Sequence, residues 1–271
     1  MKPAPFRYHR PASLAEALAL LARLEDAKLI AGGQSLAPMM NMRLATPAEL
    51  IDLNAIAGMD SIAERENGVE IGAMARHHAV ANSSVVRARC PLLAQAAGTI
   101  GHYAIRSRGT LGGSLAHADP AAQLPLVAAT LGAEIVIAGP RGERRLAARG
   151  FFVSLMATAL EPHEIIVAAR FPTSPPGERH AYLQFSRRSG DFALVAVACT
   201  LTNKKLVIGI GGVEDKPLVF DDFGSTDAAS VAQAVRSRVN PAENPRVPAV
   251  FRKELVEVLT RRAVKQCLTS N

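Results

Sequence analysis

The chain has 271 residues, 49% hydrophobic and 20% charged, which suits one large or two modest globular domains and excludes disorder. Its formal charge is +7 and its pI about 9.7. The basic residues are spread along the chain without interleaved aromatics, which argues against nucleic-acid binding and for a solvated surface, an anionic ligand or an acidic partner.

Aromatics make up 4% with no Trp, so the core must be Ala, Leu, Val and Ile. No apolar run approaches the roughly 18–20 residues that span a bilayer, and the segment from Lys2 to Phe6 lacks a signal-like apolar stretch. A cytoplasmic protein is the expectation. Cys90, Cys199 and Cys267 lie far apart without CxxC spacing, so neither a structural disulfide nor an in-chain zinc or iron–sulfur site is expected.

In chain order, Ser13 and Glu16 form an S-x-x-E capping box ahead of Leu14, Ala17, Leu18, Leu21 and Leu24. Lys28 to Ala31 reads as a short strand halted at Gly32-Gly33, and Leu50 to Leu53 as another, which makes residues 1–55 a small α/β unit. Val69-Glu70-Ile71 alternates as a strand, and 77–100 reads as short helices broken at Pro91. A Gly-rich stretch runs from Gly98 to Gly113, and a helix over 120–131 is expected to start at Pro120. Ala133–Ala138 and Glu143–Leu146 flank Gly139-Pro140-Arg141-Gly142, a hairpin signal. Ile165 to Phe171 is a further strand.

Pro172 to Gly177 is the best linker. It separates a domain over 1–172, with subdomains of about 1–55 and 56–172, from one over 178–271. Beyond it, runs near 181–188, 193–202 and 205–213 predict a three-stranded antiparallel meander. Helices at roughly 227–238 and 249–266 follow, the last with Phe251, Leu255, Val258, Leu259 and Val264 on one face. The fold class is α+β.

Two Gly-Gly elements carry the chemistry. Ala31-Gly32-Gly33-Gln34-Ser35 follows a strand, and Thr110-Leu111-Gly112-Gly113-Ser114 follows a Gly-rich approach. Paired glycines open φ > 0 and remove the Cβ atoms that block a ligand, and successive N–H groups in such turns suit phosphate oxygens. Ser35, Thr110 and Ser114 add hydroxyls. Both loops are expected to present bare amides to one pyrophosphate. Neither is a Walker A or a GxGxxG fingerprint, and a single Gly-Gly after a strand is more often just a tight turn.

Longer blocks are more specific. LIAGGQSLAPMMNMRLATPAELIDL and IGHYAIRSRGTLGGSLAHADPAAQLP resemble the two flavin-binding segments of the xanthine dehydrogenase and carbon monoxide dehydrogenase family. Ser186 to Ala193 and VFRKELVEVLTRRAV resemble the start and last helix of that family's C-terminal flavin-subunit domain.

The resemblance implies a PCMH-type FAD-binding domain in which Leu29, Ile30, Ala31, Gly32, Gly33, Gln34, Ser35 and Leu36 wrap the FAD pyrophosphate. Thr110, Leu111, Gly112, Gly113 and Ser114 would grip its other side. Ile100 and Ile166 match apolar positions on the cofactor, Asp119 a polar contact, and Asp191 with Phe192 the pair beside the isoalloxazine ring. Ser114 stands where the family usually has Asn, Gln123 where an acid is common and Gln184 where Lys is frequent. These departures are expected to tune FAD binding, not to abolish it.

No catalytic or metal residues are expected in this chain. The resemblance implies a large molybdopterin subunit that oxidises substrate and a small subunit with two [2Fe–2S] clusters. Electrons would pass through this chain's FAD to an external acceptor, in a dimer of heterotrimers. Two rival readings are a stand-alone FAD oxidase or dehydrogenase, for which about 95 residues after the linker are few, and a non-redox ligand-binding accessory protein.

Elsewhere the residues read blandly. His77-His78 reads as a helix-start surface pair, since neighbours do not share a helix face. His102 and His117 flank the second glycine element and are more often bystanders than cofactor contacts. Arg106 and Arg108 read equally as phosphate counter-charges, inter-subunit partners or solvent-exposed groups. Met39, Met40 and Met42 read as packing, and Cys90 and Cys199 as small buried apolar residues.

Overall fold

The computed structural model of the chain describes residues 2–203 and 205–269. Mixed helix and sheet are arranged around three principal sheets.

The first is small and parallel, with Glu49–Asp52 between Arg7–His9 and Ala27–Ile30. The helix Leu14–Arg23 starts at the expected capping box: the Ser13 hydroxyl accepts from the Glu16 N–H, and the Glu16 carboxylate accepts from the Ala12 N–H at 2.8 Å. The edge strand Arg7–His9 has no apolar alternation and is not evident in the sequence. It is held by a buried carboxylate instead. Glu49 accepts from Arg7 Nε at 2.7 Å and lies 2.7 Å from His9 Nε2, and these partners hold its pKa down to about 2.

The second sheet has five antiparallel strands in the order Ile62–Arg65, Gly68–Gly72, Ile165–Pro172, Glu134–Gly139, Gly142–Ala147. Ala169 at its centre pairs with Ile71 on one side and Ile135 on the other, and all three are fully buried. A bulge between Ile166 and Ala168 lets the Val167 carbonyl accept from the Ala73 N–H at 2.9 Å. Short helices at His77–Asn82, Ser84–Arg89 and Pro91–Gly98 bear out the expected breaks. The helix anticipated from Pro120 begins later, at Gln123–Leu131. Residues 119–122 form a turn in which Asp119 accepts from the Ala121 and Ala122 N–H groups, and that turn displaces the helix start.

The third sheet is an antiparallel meander of Arg179–Phe185, Val195–Thr202 and Lys205–Gly211, extended by a fourth short strand, Leu218–Phe220, that was not expected. Its two faces differ. Val197 pairs with Ile210, Cys199 with Ile208 and Leu201 with Leu206 on one face, which packs on the helices Ala228–Arg238 and Ala249–Thr269. Ala198 pairs with Gly209 and Ala196 with Gly211 on the other. A Cβ at Gly209 would strike Thr130 Oγ1, and one at Gly211 would sit 3.1 Å from Leu126. Small residues on that face let the helix Gln123–Leu131 lie close, so the strand is apolar on both sides.

The last helix buries a stripe of Val256, Leu259, Thr260, Ala263, Val264 and Cys267. Leu259 and Val264 of the expected face belong to it and Leu255 packs against it, but Phe251 does not. Phe251 is 39% exposed and pairs edge-on with Phe185 at 6.2 Å. Among the described residues no helix is long and apolar enough to cross a membrane.

Candidate functional site

A cavity of about 680 Å³ lies where the small parallel sheet, the five-stranded sheet and the loop before Val195–Thr202 meet, within the roughly 300–1,000 Å³ usual for cofactor sites. It is lined by Leu29 through Leu36 without a gap, by Ile100, Thr110, Gly112, Gly113, Ser114, Asp119, Gln123 and Ile166, and by Asp191 with Phe192. Two sequence candidates fall outside the lining. Leu111 is fully buried in the core, and Gln184 stands behind Gln123, accepting from its Nε2 at 3.3 Å and from the Tyr182 hydroxyl at 2.9 Å.

The two glycine elements touch. A Cβ on Gly32 would collide with the Arg108 carbonyl and lie 2.8 Å from Gly109 Cα. They are not equivalent, however. At the first, Gly33 has φ +70°, a conformation that favours glycine. Among the described residues the N–H groups of Gly32, Gly33, Gln34 and Ser35 have no acceptor within the chain, so they are free for a ligand. The Gln34 side chain folds back, its Nε2 donating to the Gly32 carbonyl at 3.0 Å, and so braces the turn.

The second element corrects the expectation of a loop with bare amides. Gly112 and Gly113 lie in the first turn of the helix Leu111–His117, and neither has a positive φ. The amides of that helical turn are committed: Leu111 donates to Ala75, Gly112 to Ala73 at 2.7 Å, Gly113 to Thr110 Oγ1 at 3.1 Å and Ser114 to the Thr110 carbonyl at 3.0 Å. Glycine is needed here because a Cβ at Gly112 would lie 2.5 Å from the Ala73 Cβ. Hydroxyls and a smooth backbone surface, not the N–H groups from Leu111 to Ser114, are what this helical turn offers.

His77 was not among the site candidates and is no surface residue. It is 6% exposed and lines the cavity. Its Nε2 lies 2.9 Å from the Thr110 carbonyl, an acceptor only, so Nε2 carries the proton and Nδ1 is an acceptor. That Nδ1 is buried without a partner among the described residues. Burial pushes the pKa down to about 4, so the ring is neutral near pH 7. His78, by contrast, stacks edge-on against Tyr103.

Other residues missed from the sequence include Ala73, Met74, Gly101, Ile105 and Gly109. The segment from Leu160 to Ile165 adds Glu161, His163 and Glu164. The last group precedes the foreseen Ile166, and only that adjacency hinted at it. Met39 and His117 line the cavity, whereas Met40 packs in the interior and Met42 is exposed. His102 touches the loop at Gly190. Arg106 donates to the Ile100 and Gly101 carbonyls at 2.8 Å. Cys90, Cys199 and Cys267 are free and buried.

A long cavity with bare amides at one wall, hydroxyls opposite and apolar side chains at Ile100, Ile105 and Ile166 suits a dinucleotide carrying a flat aromatic system. Comparison with known proteins agrees. Residues 4–174 match the family model described as the FAD binding domain in molybdopterin dehydrogenase. Residues 180–267 match the CO dehydrogenase flavoprotein C-terminal domain. The chain is 38% identical to the carbon monoxide dehydrogenase medium chain of Afipia carboxidovorans, with 98% of each covered. It is 34% identical to the 6-hydroxypseudooxynicotine dehydrogenase complex subunit alpha of Paenarthrobacter nicotinovorans, covering 99% of this chain and 96% of the relative. Among solved structures, reconstituted CO dehydrogenase from Oligotropha carboxidovorans superposes with a TM-score of 0.94 at 37% identity, over 98% of this chain and 99% of that one.

Proposed function

The chain belongs to the family of FAD-binding medium subunits of molybdenum-containing dehydrogenases, and from that premise we propose that it relays electrons within a three-subunit complex. Electrons enter from the [2Fe–2S] clusters of a small subunit, after substrate oxidation at the molybdopterin centre of a large one, and leave to an external acceptor. Bound FAD would supply the redox centre that takes electrons one at a time from the clusters and passes them to that acceptor.

This chain's residues bind and orient the cofactor. The free N–H groups from Gly32 to Ser35 would take the diphosphate oxygens, with the Thr110 and Ser114 hydroxyls at the opposite wall. Asp119, which keeps one carboxylate oxygen beyond its bond to Ala121, suits ribose hydroxyls. Phe192, 58% exposed at the cavity edge, would cover one face of the ring system. The neutral Gln123–Gln184 pair puts no formal charge at that wall.

The observation that carries the reading is the meeting of both glycine elements on one cavity. The cysteines support the division of labour, since three cannot supply the four thiolates of even one [2Fe–2S] cluster. Relatives of similar identity are named for carbon monoxide and for 6-hydroxypseudooxynicotine, which fits a substrate pocket on another polypeptide.

Tagged purification from the native host tests the proposal. FAD, iron and molybdenum should copurify in a complex sized for two heterotrimers, while the chain alone should hold FAD without either metal. Flavin-free chain, or substrate reduction of flavin by this chain alone, overturns it.

A further inference from the structure

Arg76 lies outside the cavity lining, half-buried, and forms no ion pair among the described residues. Its guanidinium is shared between two neutral oxygens. Nη1 donates to the Arg108 carbonyl at 2.7 Å and Nη2 to Asn54 Oδ1 at 2.5 Å. Asn54 in turn donates from Nδ2 to the Ala31 carbonyl at 2.8 Å. Asn54 is itself fixed by Asp52, whose Oδ1 accepts from both the Asn54 N–H and Nδ2 and whose Oδ2 accepts from the Tyr8 hydroxyl.

The two anchored carbonyls are those that lead into the glycine elements, Ala31 directly before Gly32-Gly33 and Arg108 directly before Gly109-Thr110. The backbone around Arg76 is stitched to the same segment, with the His77 N–H on the Gly109 carbonyl and the Leu111 N–H on the Ala75 carbonyl. Among the described residues no other hydrogen bond joins that segment to the first element; Gly32 is pressed against Arg108, a contact that resists approach but not separation.

We propose that the Arg76–Asn54 relay is a cross-link that holds the two glycine elements at the spacing a dinucleotide diphosphate requires, making Arg76 and Asn54 positioning residues for FAD. This rests on the FAD reading above. A planar guanidinium fork is pre-organised to hold two acceptors in fixed directions, which a rotating ammonium on a flexible stem is not, and bonds from a charged donor are the strong ones.

The test uses the full-length chain freed of FAD, in four variants: R76A, R76K, N54A and R76A/N54A. Lys keeps the charge and loses the fork. FAD affinity, read by flavin fluorescence, should fall roughly tenfold or more in R76A, nearly as far in R76K, and less in N54A. The double variant should match R76A, because both substitutions break one chain of bonds. The dissociation rate of FAD should rise in step. Wild-type affinity in R76K, or additive losses in the double variant, overturns the relay.

A second readout needs no cofactor. In the FAD-free chain, the amide NMR signals of Gly32–Gly33 and of Gly109–Gly113 should both shift in R76K, and chiefly the first set in N54A. An R76K spectrum unchanged at either element overturns the cross-link even if the chain binds no FAD. Failure of the wild type alone to take up FAD would instead remove the reading beneath it.

Discussion

The cavity wall and the C-terminal meander solve opposite problems with the same backbone chemistry. In the wall, close approach is the aim. Gly32, Gly109 and Gly112 let main chain meet main chain or ring, and polar links such as His77 to Thr110 and Arg76 to Arg108 hold the shape. In the meander, filling space is the aim. Val197, Ile208, Ile210 and Leu206 are at most 2% exposed and pack on two helices. The first region can lose its function without losing much apolar burial, and the second can lose stability without touching the cofactor.

The largest effect should come from Gly112→Val. Its Cβ would lie 2.5 Å from the Ala73 Cβ and 2.9 Å from the Ala73 carbonyl, neither of which can yield without moving the strand-to-helix connection. We expect complete loss of FAD retention, with hydrogen-exchange protection retained in the strands over 195–211. Fully flavinated G112V would break the contrast from one side.

Ile208→Ala is its counterpart. Ile208 is fully buried, and removing its branch should cost about 2–5 kcal/mol, read as a shift in denaturant midpoint. FAD affinity measured below the transition should stay within about twofold. A large affinity loss would show that the meander shapes the cavity beyond the Gly190–Phe192 loop.

The smallest effect concerns pH. His77 has its folded-state pKa depressed to about 4 from 6.5, so the unfolded chain binds the proton first. Its contribution to stability is intact above pH 6.5 and is lost as pH falls towards 4, on the order of 3 kcal/mol. His180 is shifted the same way by burial, so the comparison is with His77→Asn, which should flatten the loss between pH 6.5 and 4. Glu49, held down to about 2 from 4.5, acts in a lower window, where stability is lost as pH falls from 4.5 through 2. An H77N curve parallel to wild type would remove the histidine from the first window.

Much of the fold was legible because it is written in local terms. The Ser13–Glu16 box, Pro91 and the Gly139–Gly142 turn mark boundaries through backbone chemistry that acts within a few residues. Arg7–His9, Ile62–Arg65 and Leu218–Phe220 were not legible. Short edge strands are defined by the partner they pair with, and their own sequences show no period. The start of the last helix departs from its expected face for a related reason: Phe251 looks like core by type but meets only the end of a strand, at Phe185, and stays 39% exposed.

For the site, residue types and family resemblance named eighteen positions that line one cavity, from Leu29 to Phe192. That much follows from motifs, since glycine pairs and hydroxyls are chemical signatures in themselves. Tertiary structure alone decided which amides stay free. The first element leads into the helix Leu36–Asn41, whose first N–H groups have no intrahelical acceptor, whereas Ala75, Ala73 and the Thr110 hydroxyl claim those of Leu111, Gly112 and Gly113 in the second. It also decided that His77 is buried and that Arg76 bridges Asn54 and the Arg108 carbonyl, which lie on opposite sides of it in sequence, 22 and 32 residues away. Hydrogen-bond partners and desolvation depend on what the rest of the chain brings alongside, and no local pattern encodes that.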